Sequence, residues 1–558
     1  MKYFLSLSLM LCLFLLTQAQ EKRFTHADTL RGSNGAGRNW WDVQRYDLSV
    51  SVDIENKTIK GKNSITYKIT QSVKPGLMQI DLQMPMVVER IEYVQMKYGA
   101  LPFRREGSVY WIDFGDREFR EGTEHTLIIH YAGKPREARR APWDGGWVWA
   151  KDSLQRDWIT VACQGLGASS WYPCKDYQAD EPDRGASLAI TVPDSLVAVG
   201  NGRLLKKTTH GQGNSTWNWE VKNPINNYNI IPYIGHYVNW EEKINGEKGP
   251  LDASYWVLDY HLEKSKTHFE RDVKRMFTCF ENWFGPYPFY EDSYKLVETP
   301  HLGMEHQSAV AYGNQYRDGY LGSDLSRSGW GTKWDYIIVH ETGHEWFANN
   351  ITTRDIADMW VHEGFTTYSE VLFVECHYGK KAASEYCRGL RNNIENNSTI
   401  IGPYGVNREG SGDMYFKGAN LLHTIRQVIN NDAKFKEILR GLNQEFYHQL
   451  TSSREVEEYF IKKSGKKLAP IFDQYLRTTQ IPELEYQLQP IAGSSTSYHL
   501  KFRWTNVTDG FNMPVKIVVN NKDQWIYPTQ KQQTLKLTGK MPQELELSGD
   551  FYVESRKL

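Results

Sequence analysis

Residues 339–350 read VHETGHEWFANN, two histidines four apart with a glutamate directly after the first. Successive residues of an α-helix turn by about 100°, so positions i and i+4 return to within about 40° of each other. His340 and His344 therefore project from one helix face, one turn apart. That is the bite a single zinc ion needs, with nitrogen ligands at about 2.0–2.1 Å. Glu341 lies about 100° round from His340, too far to share the ion but placed to reach a water on it, the position of a general base. The plain alternative is three polar residues on a solvated helix face. With 16 histidines in 558 residues, chance supplies H-E-x-x-H roughly 0.03 times per chain, so the pattern asks for a chemical reading.

A catalytic zinc takes three protein ligands and keeps a fourth position open. Beyond His344, the stretch 355–370 reads DIADMWVHEGFTTYSE. Ile356, Met359, Trp360, Phe365, Tyr368 and Val371 recur there at helical period, with Glu363 among them. A helix hairpin that folds back on the first helix brings Glu363 to the metal. Glu370, two turns further on, is either a carboxylate that steadies a ligand histidine or a surface charge.

H-E-x-x-H followed at this distance by W-x-x-E-G-F resembles the gluzincin arrangement of the M1 family of zinc aminopeptidases, of the aminopeptidase N and leukotriene A4 hydrolase kind. Two further stretches resemble that family in its order. ETPHLGMEHQSAVAYGN (298–314) is similar to the G-x-M-E-N exopeptidase loop, with Leu302 where a glycine is usual and His306 in place of the asparagine. The resemblance implies that Gly303, Met304 and Glu305 bind substrate, Glu305 taking the free α-amine. A buried carboxylate pairs well with an ammonium group and poorly with an internal amide. SGDMYFKGANLLHTIRQVI (411–429) resembles the Y-E-K-G helix start, with Phe416 replacing the glutamate, and so implies Tyr415 as donor to the oxyanion. Earlier, VACQGLGASSWYPCKD (161–176) is similar to an N-terminal-domain segment whose glutamine, here Gln164, helps Glu305 hold the amine. Ser169 or Ser170 stands where the family often has an arginine.

The resemblance thus implies one zinc per chain on His340, His344 and Glu363, with Glu341 as base. The implied activity is hydrolysis of N-terminal residues from peptides with a free N-terminus. Rival readings are a bifunctional epoxide hydrolase and peptidase, and a catalytically inactive binding protein. The latter is expected to have lost a ligand or the base, and this chain keeps them all.

Patterning places these motifs in a multidomain α+β fold. Residues 1–19 read as a signal peptide: Lys2, an apolar run from Phe4 to Leu16, then Thr17-Gln18-Ala19. From 20 to 247 period-two segments such as YDLSVSVDI and LAITVP predict an antiparallel β domain, saddle-like by resemblance. From 248 to 482 helical periods dominate, a zinc domain that is thermolysin-like by resemblance. From 483 to 558 period two returns, fitting the family's small β-sandwich. Many relatives carry a further helical domain over the cleft; this chain has no room for it, which implies an open cleft or cover by another subunit.

The apolar run is too short to span a bilayer, so the mature protein is expected to be exported, periplasmic or secreted, without membrane insertion. Net charge of −1 with a pI near 7.0 gives no electrostatic footprint for nucleic acid. Apart from Cys12 in the apolar run, the cysteines are Cys163, Cys174, Cys279, Cys376 and Cys387. Cys376 and Cys387 are a candidate pair, although spacing leaves the connectivity open.

Overall fold

The structure, a computed structural model, describes residues 24–558. The signal-like stretch and Cys12 lie outside the described residues.

The strand Trp41–Asp53 buries alternate side chains along most of its length, which fixes its register because a slip of one residue would turn Val43, Tyr46, Leu48 and Val50 to solvent. It pairs antiparallel with Thr58–Ile69 and parallel with Ala186–Pro193 inside an eight-stranded sheet. The parallel pair departs from the purely antiparallel expectation. Its two strands are separated by a long stretch of chain that builds a three-stranded sheet and half of a four-stranded one, and such a crossover permits parallel pairing where a tight hairpin does not. The four-stranded sheet carries Asp157–Ala162, which runs directly into the turn that holds Gln164.

The central part begins with a five-stranded sheet in the order Tyr237–Gly246, Gly249–Leu258, Tyr294–Glu298, Val310–Tyr312, Gly303–Met304. The two-residue strand of the GMEH stretch is therefore an edge. Against this sheet pack helices α1 (Leu262–Phe284) and α2 (Tyr336–Gly343); α3 (Trp360–Tyr378) packs on both of them, and α4 (Lys380–Leu390) and α5 (Phe416–Ile429) pack on α3. Helix α1 buries one stripe, Phe269, Val273, Met276, Phe277, Phe280 and Phe284, as an amphipathic surface helix does. Every residue of α2 is buried, as are the first fifteen of α3 from Trp360 to Val374. A charged residue in such helices must be paired or chemically used.

VHETGHEWFANN is α-helical only as far as Gly343, with His344 as its cap. Phe347 (φ −130°, ψ 98°) and Ala348 (φ 128°) leave the helix. The chain turns there so that the Phe347 carbonyl accepts from His344 Nδ1 at 3.0 Å, while the Asn349 and Asn350 amides close back on the His344 and Glu345 carbonyls.

The cysteine expectation is corrected. Cys376 is bonded to Cys279, with Cα atoms 6.1 Å apart, and Cys387 is a buried free thiol. The positive φ of Gly379 (89°) ends α3 and starts α4 on a new course, so Cys376 faces α1 rather than Cys387. The bridge ties α1 to the helix that carries Glu363 and Glu370.

Two small sheets close the chain. One orders Gln533–Thr538, Ser497–Thr505, Glu483–Pro490 and Glu554–Lys557; the other orders Lys522–Ile526, Val515–Val519 and Glu546–Leu547. Leu484, Leu500, Trp504 and Ile517 join the hydrophobic core of the helical part. The architecture is mixed α+β: a β-rich N-terminal part, a helical centre and a C-terminal β region. No helix of the described residues is long and apolar enough to cross a membrane.

Candidate active site

Asp335 fixes where α2 starts. Its carboxylate accepts from the Ile337 and Ile338 amides at 3.0 and 3.3 Å, from the Tyr312 hydroxyl at 2.7 Å and from Asn314 Nδ2 at 2.9 Å. With the helix start anchored, the two histidines come to one place. His340 donates from Nδ1 to Glu370 Oε1 at 2.7 Å, and the other Glu370 oxygen accepts from the Tyr386 hydroxyl at 2.7 Å. His344 donates from Nδ1 to the Phe347 carbonyl, and Thr366 Oγ1 stands 3.1 Å from the same nitrogen. Both rings thereby carry their proton on Nδ1 and turn a bare Nε2 inward, the tautomer a metal ligand needs.

Those nitrogens face one carboxylate oxygen. Glu363 Oε2 lies 3.7 Å from His340 Nε2 and 3.4 Å from His344 Nε2. It is buried and has no hydrogen-bond partner. An orphaned buried carboxylate oxygen is costly. Ligands at about 2.0–2.1 Å from one ion at tetrahedral angles stand about 3.4 Å apart, close to the spacings seen. The donor set fits zinc, with His340, His344 and Glu363 as its holders. Of the two readings of Glu370, the structure has the one that supports a histidine.

Glu341, Glu305 and His344 bring ligand-type atoms within 4.8 Å of one another. Burial pushes the Glu341 carboxyl up to about 7, partly offset by the charges of His340 and His344. Next to it runs the edge strand. A Cβ on Gly303 would stand 2.8 Å from Glu341 Oε1 and 2.9 Å from Ile337 Cγ2, so only glycine lets the strand approach α2 this closely. Gly303 pairs with Tyr312 and Met304 with Ala311, and among the described residues no strand covers the outer edge. A peptide in extended form can add there.

Glu305 follows this strand. Its Oε1 accepts from Gln164 Nε2 at 2.6 Å and from the Tyr228 hydroxyl at 2.8 Å, and Asn349 Nδ2 donates to its backbone carbonyl at 2.8 Å. Burial pushes the carboxyl pKa up, against the pull of His344. The two departures from the family loop are absorbed locally. The Leu302 carbonyl accepts from the Gly313 amide at 2.7 Å. The Tyr233 hydroxyl donates to the Ala309 carbonyl at 2.7 Å, so His306 Nδ1 donates to the same tyrosine at 2.5 Å.

Tyr415 stands at the start of α5, its ring parallel to His340 with centroids 6.2 Å apart. It arrives there because α3 and α5 cross at two glycines: a Cβ on Gly418 would lie 3.0 Å from the Gly364 Cα. Burial, then the Glu363, Glu409 and Glu305 carboxylates, hold its phenol well above the usual range, so it is a proton donor.

All nine residues singled out in the sequence thus converge on one site: Gln164, Gly303, Met304, Glu305, His340, Glu341, His344, Glu363 and Tyr415. Tyr228, Asn349, Thr366 and Tyr386 join them without having been read. Thr366 carried a signal, one helical turn beyond Glu363. Tyr228 carried none.

A three-ligand metal set with a carboxylate base, a phenol donor and a buried carboxylate at a strand edge defines the gluzincin class of site. Residues 269–475 match the Peptidase family M1 domain and residues 43–228 the Peptidase M1 N-terminal domain, and the chain belongs to peptidase family M1. Mouse (Mus musculus) aminopeptidase B is 24% identical over 346 residues, 58% of this chain and 49% of that protein. A probable aminopeptidase 2 of Sulfurisphaera tokodaii is 22% identical over 503 residues, 86% of this chain and 59% of that one. The chain spans about half the length of the mammalian relative. The crystal structure of an M1 zinc metallopeptidase from Deinococcus radiodurans shares the fold, with a TM-score of 0.64 at 18% identity, over 79% of this chain and 95% of that one.

Proposed function

We propose that the protein is a zinc aminopeptidase that removes residues one at a time from peptides with a free N-terminus. The observation that carries this reading is Glu305, a buried carboxylate held by Gln164 and Tyr228 beside the metal-ligand set. Without an ammonium partner such a charge is poorly compensated, and a blocked or internal amide does not compensate it.

When bound, the ion supplies Lewis acidity, polarising the scissile carbonyl and acidifying a water. Glu341 takes the proton of the attacking water on its carboxylate and hands it to the leaving amine. The Tyr415 hydroxyl donates to the oxyanion as the carbonyl becomes tetrahedral. Gly303 and Met304 hold the peptide backbone in extended form, and Glu305 sets how far the chain enters. The related Deinococcus radiodurans enzyme has a mutant described as bound to a Tyr-Ser-Ala substrate, a free tripeptide being the kind of ligand this arrangement suits. The inactive-binder and epoxide hydrolase readings have no feature of the site in their favour.

Export to a periplasm or to the outside of the cell completes the reading. Support comes from the pattern of residues 1–19 and from the Cys279–Cys376 bridge, since disulfides persist in oxidising compartments. The test is a panel of aminoacyl 4-nitroanilides with free and N-acetylated amines, run on native protein and on Glu305→Gln. Native protein should cut only the free forms and the variant should lose most of that rate. Comparable cleavage of acetylated substrates would remove Glu305 from its role.

A further inference from the structure

The short helix His26–Gly32 belongs to neither the sheet below it nor the helical centre, yet it is bonded to both. Toward the N-terminal part, Arg31 Nη2 donates to the Gly165 carbonyl at 3.0 Å and also to the Leu166 carbonyl. These are the two carbonyls that follow Gln164 in its turn. Gln83 Nε2 donates to the same Leu166 carbonyl at 2.7 Å, and Gln79 Nε2 to the Leu30 carbonyl at 3.0 Å. Behind the helix, Arg38 Nη1 donates to the Arg31 and Ser33 carbonyls, each at 3.1 Å. Toward the helical centre, the Asn407 amide donates to the Asp28 carbonyl at 3.3 Å. Gly32 lies so close to the loop before Tyr415 that a Cβ would stand 2.1 Å from the Val406 carbonyl carbon. Between them remains a cavity of about 50 Å³ whose lining includes Arg31, Gly32, Gln164, Tyr228, Arg354 and Asn407.

We infer that this helix is a clasp that pins the Gln164 turn to the 406–407 loop and thereby completes the amine end of the substrate site, with Arg31 as its positioning residue. The inference rests on the aminopeptidase reading above. Gln164 reaches Glu305 from a turn, and a turn positions a side chain only as firmly as its own carbonyls are held. Arg31 Nη2 alone holds both carbonyls, and the planar guanidinium presents that nitrogen's two N–H groups in fixed directions, whereas an ammonium rotates freely on a flexible stem. Without Arg31 the Gly165 carbonyl loses its side-chain partner and the Leu166 carbonyl keeps only Gln83, so part of the ordering of the turn falls to each incoming substrate, which weakens binding of the amine. Glu341, Tyr415 and the metal ligands sit on α2, α3 and the start of α5, so the chemical step is untouched.

The experiment uses the full chain loaded with zinc, with alanine 4-nitroanilide as substrate and free alanine as competitive inhibitor. Arg31→Ala should raise KM and the alanine inhibition constant about tenfold with kcat within about twofold, and Arg31→Lys should recover part of the loss. Gly32→Ala, which acts at the other end of the clasp, should move KM in the same direction. Unchanged KM in both Arg31→Ala and Gly32→Ala overturns the clasp, and so does a fall in kcat with KM unmoved. A native enzyme that cuts acetylated substrate equally well sinks the aminopeptidase reading instead, whatever the variants do.

Discussion

Removing Glu370 tests the site where the geometry is most explicit. Its carboxylate touches no substrate; it accepts from His340 Nδ1 at 2.7 Å and from the Tyr386 hydroxyl at 2.7 Å, and it is fully buried. Glu370→Gln keeps an acceptor for His340 and loses the charge, and charge-assisted hydrogen bonds are roughly twice as strong as neutral ones. Glu370→Ala goes further, leaving His340 Nδ1 only the Tyr336 hydroxyl at 3.1 Å and the Tyr386 hydroxyl without its buried acceptor. Carboxylates that support a ligand histidine are worth about 10- to 100-fold in metal affinity. The glutamine variant should therefore bind zinc about tenfold more weakly and the alanine variant about a hundredfold, or about 1.4 and 2.7 kcal/mol. Competition against a chromophoric zinc chelator at neutral pH measures this, and the melting temperature of the metal-free proteins checks that the fold survives. Native zinc affinity in Glu370→Ala would refute the reasoning, because His340 would then need no carboxylate partner to present Nε2.

Three further outcomes follow from the same geometry. Tyr415→Phe removes the oxyanion donor and should lower kcat by about 10²- to 10³-fold with little change in KM, read from steady-state kinetics. Replacing both Cys279 and Cys376 by alanine opens a loop with a sequence separation of 97 residues, which should cost about 4 kcal/mol in a denaturant titration; an unshifted midpoint would mean the bridge does not form. Burial without a compensating charge holds His301 down to about 4, against about 6.5 in the unfolded chain. The unfolded state then binds the extra proton, so this contribution is whole above about pH 6.5 and lost as pH falls toward 4. It amounts to about 3 kcal/mol, and His301→Asn should flatten the fall in melting temperature between pH 7 and pH 4.

What could be read in the sequence was what local geometry fixes. His340 and His344 are one turn apart in any helix, and the periodicity around Glu363 put it on a second helix, so only the hairpin between them had to be supplied. The alternation in Trp41–Asp53 gave the strand but not its parallel partner, which a long intervening stretch of chain separates from it. Tyr228 was invisible because nothing local marks it: it reaches Glu305 across 77 positions of sequence. The Cys376–Cys387 pairing failed for the same reason, since proximity in sequence says nothing about which neighbouring helix a cysteine faces once Gly379 has turned the chain. The clasp was missed because a seven-residue helix offers too little periodicity to read.

Metal content measured together with activity reaches the central claim most directly. The purified chain should carry one zinc, lose hydrolysis of free-amine anilides in a strong chelator and regain it when zinc is returned. Protein without zinc that hydrolyses those substrates unimpaired in chelator would contradict the assignment of His340, His344 and Glu363, and with it the proposed chemistry.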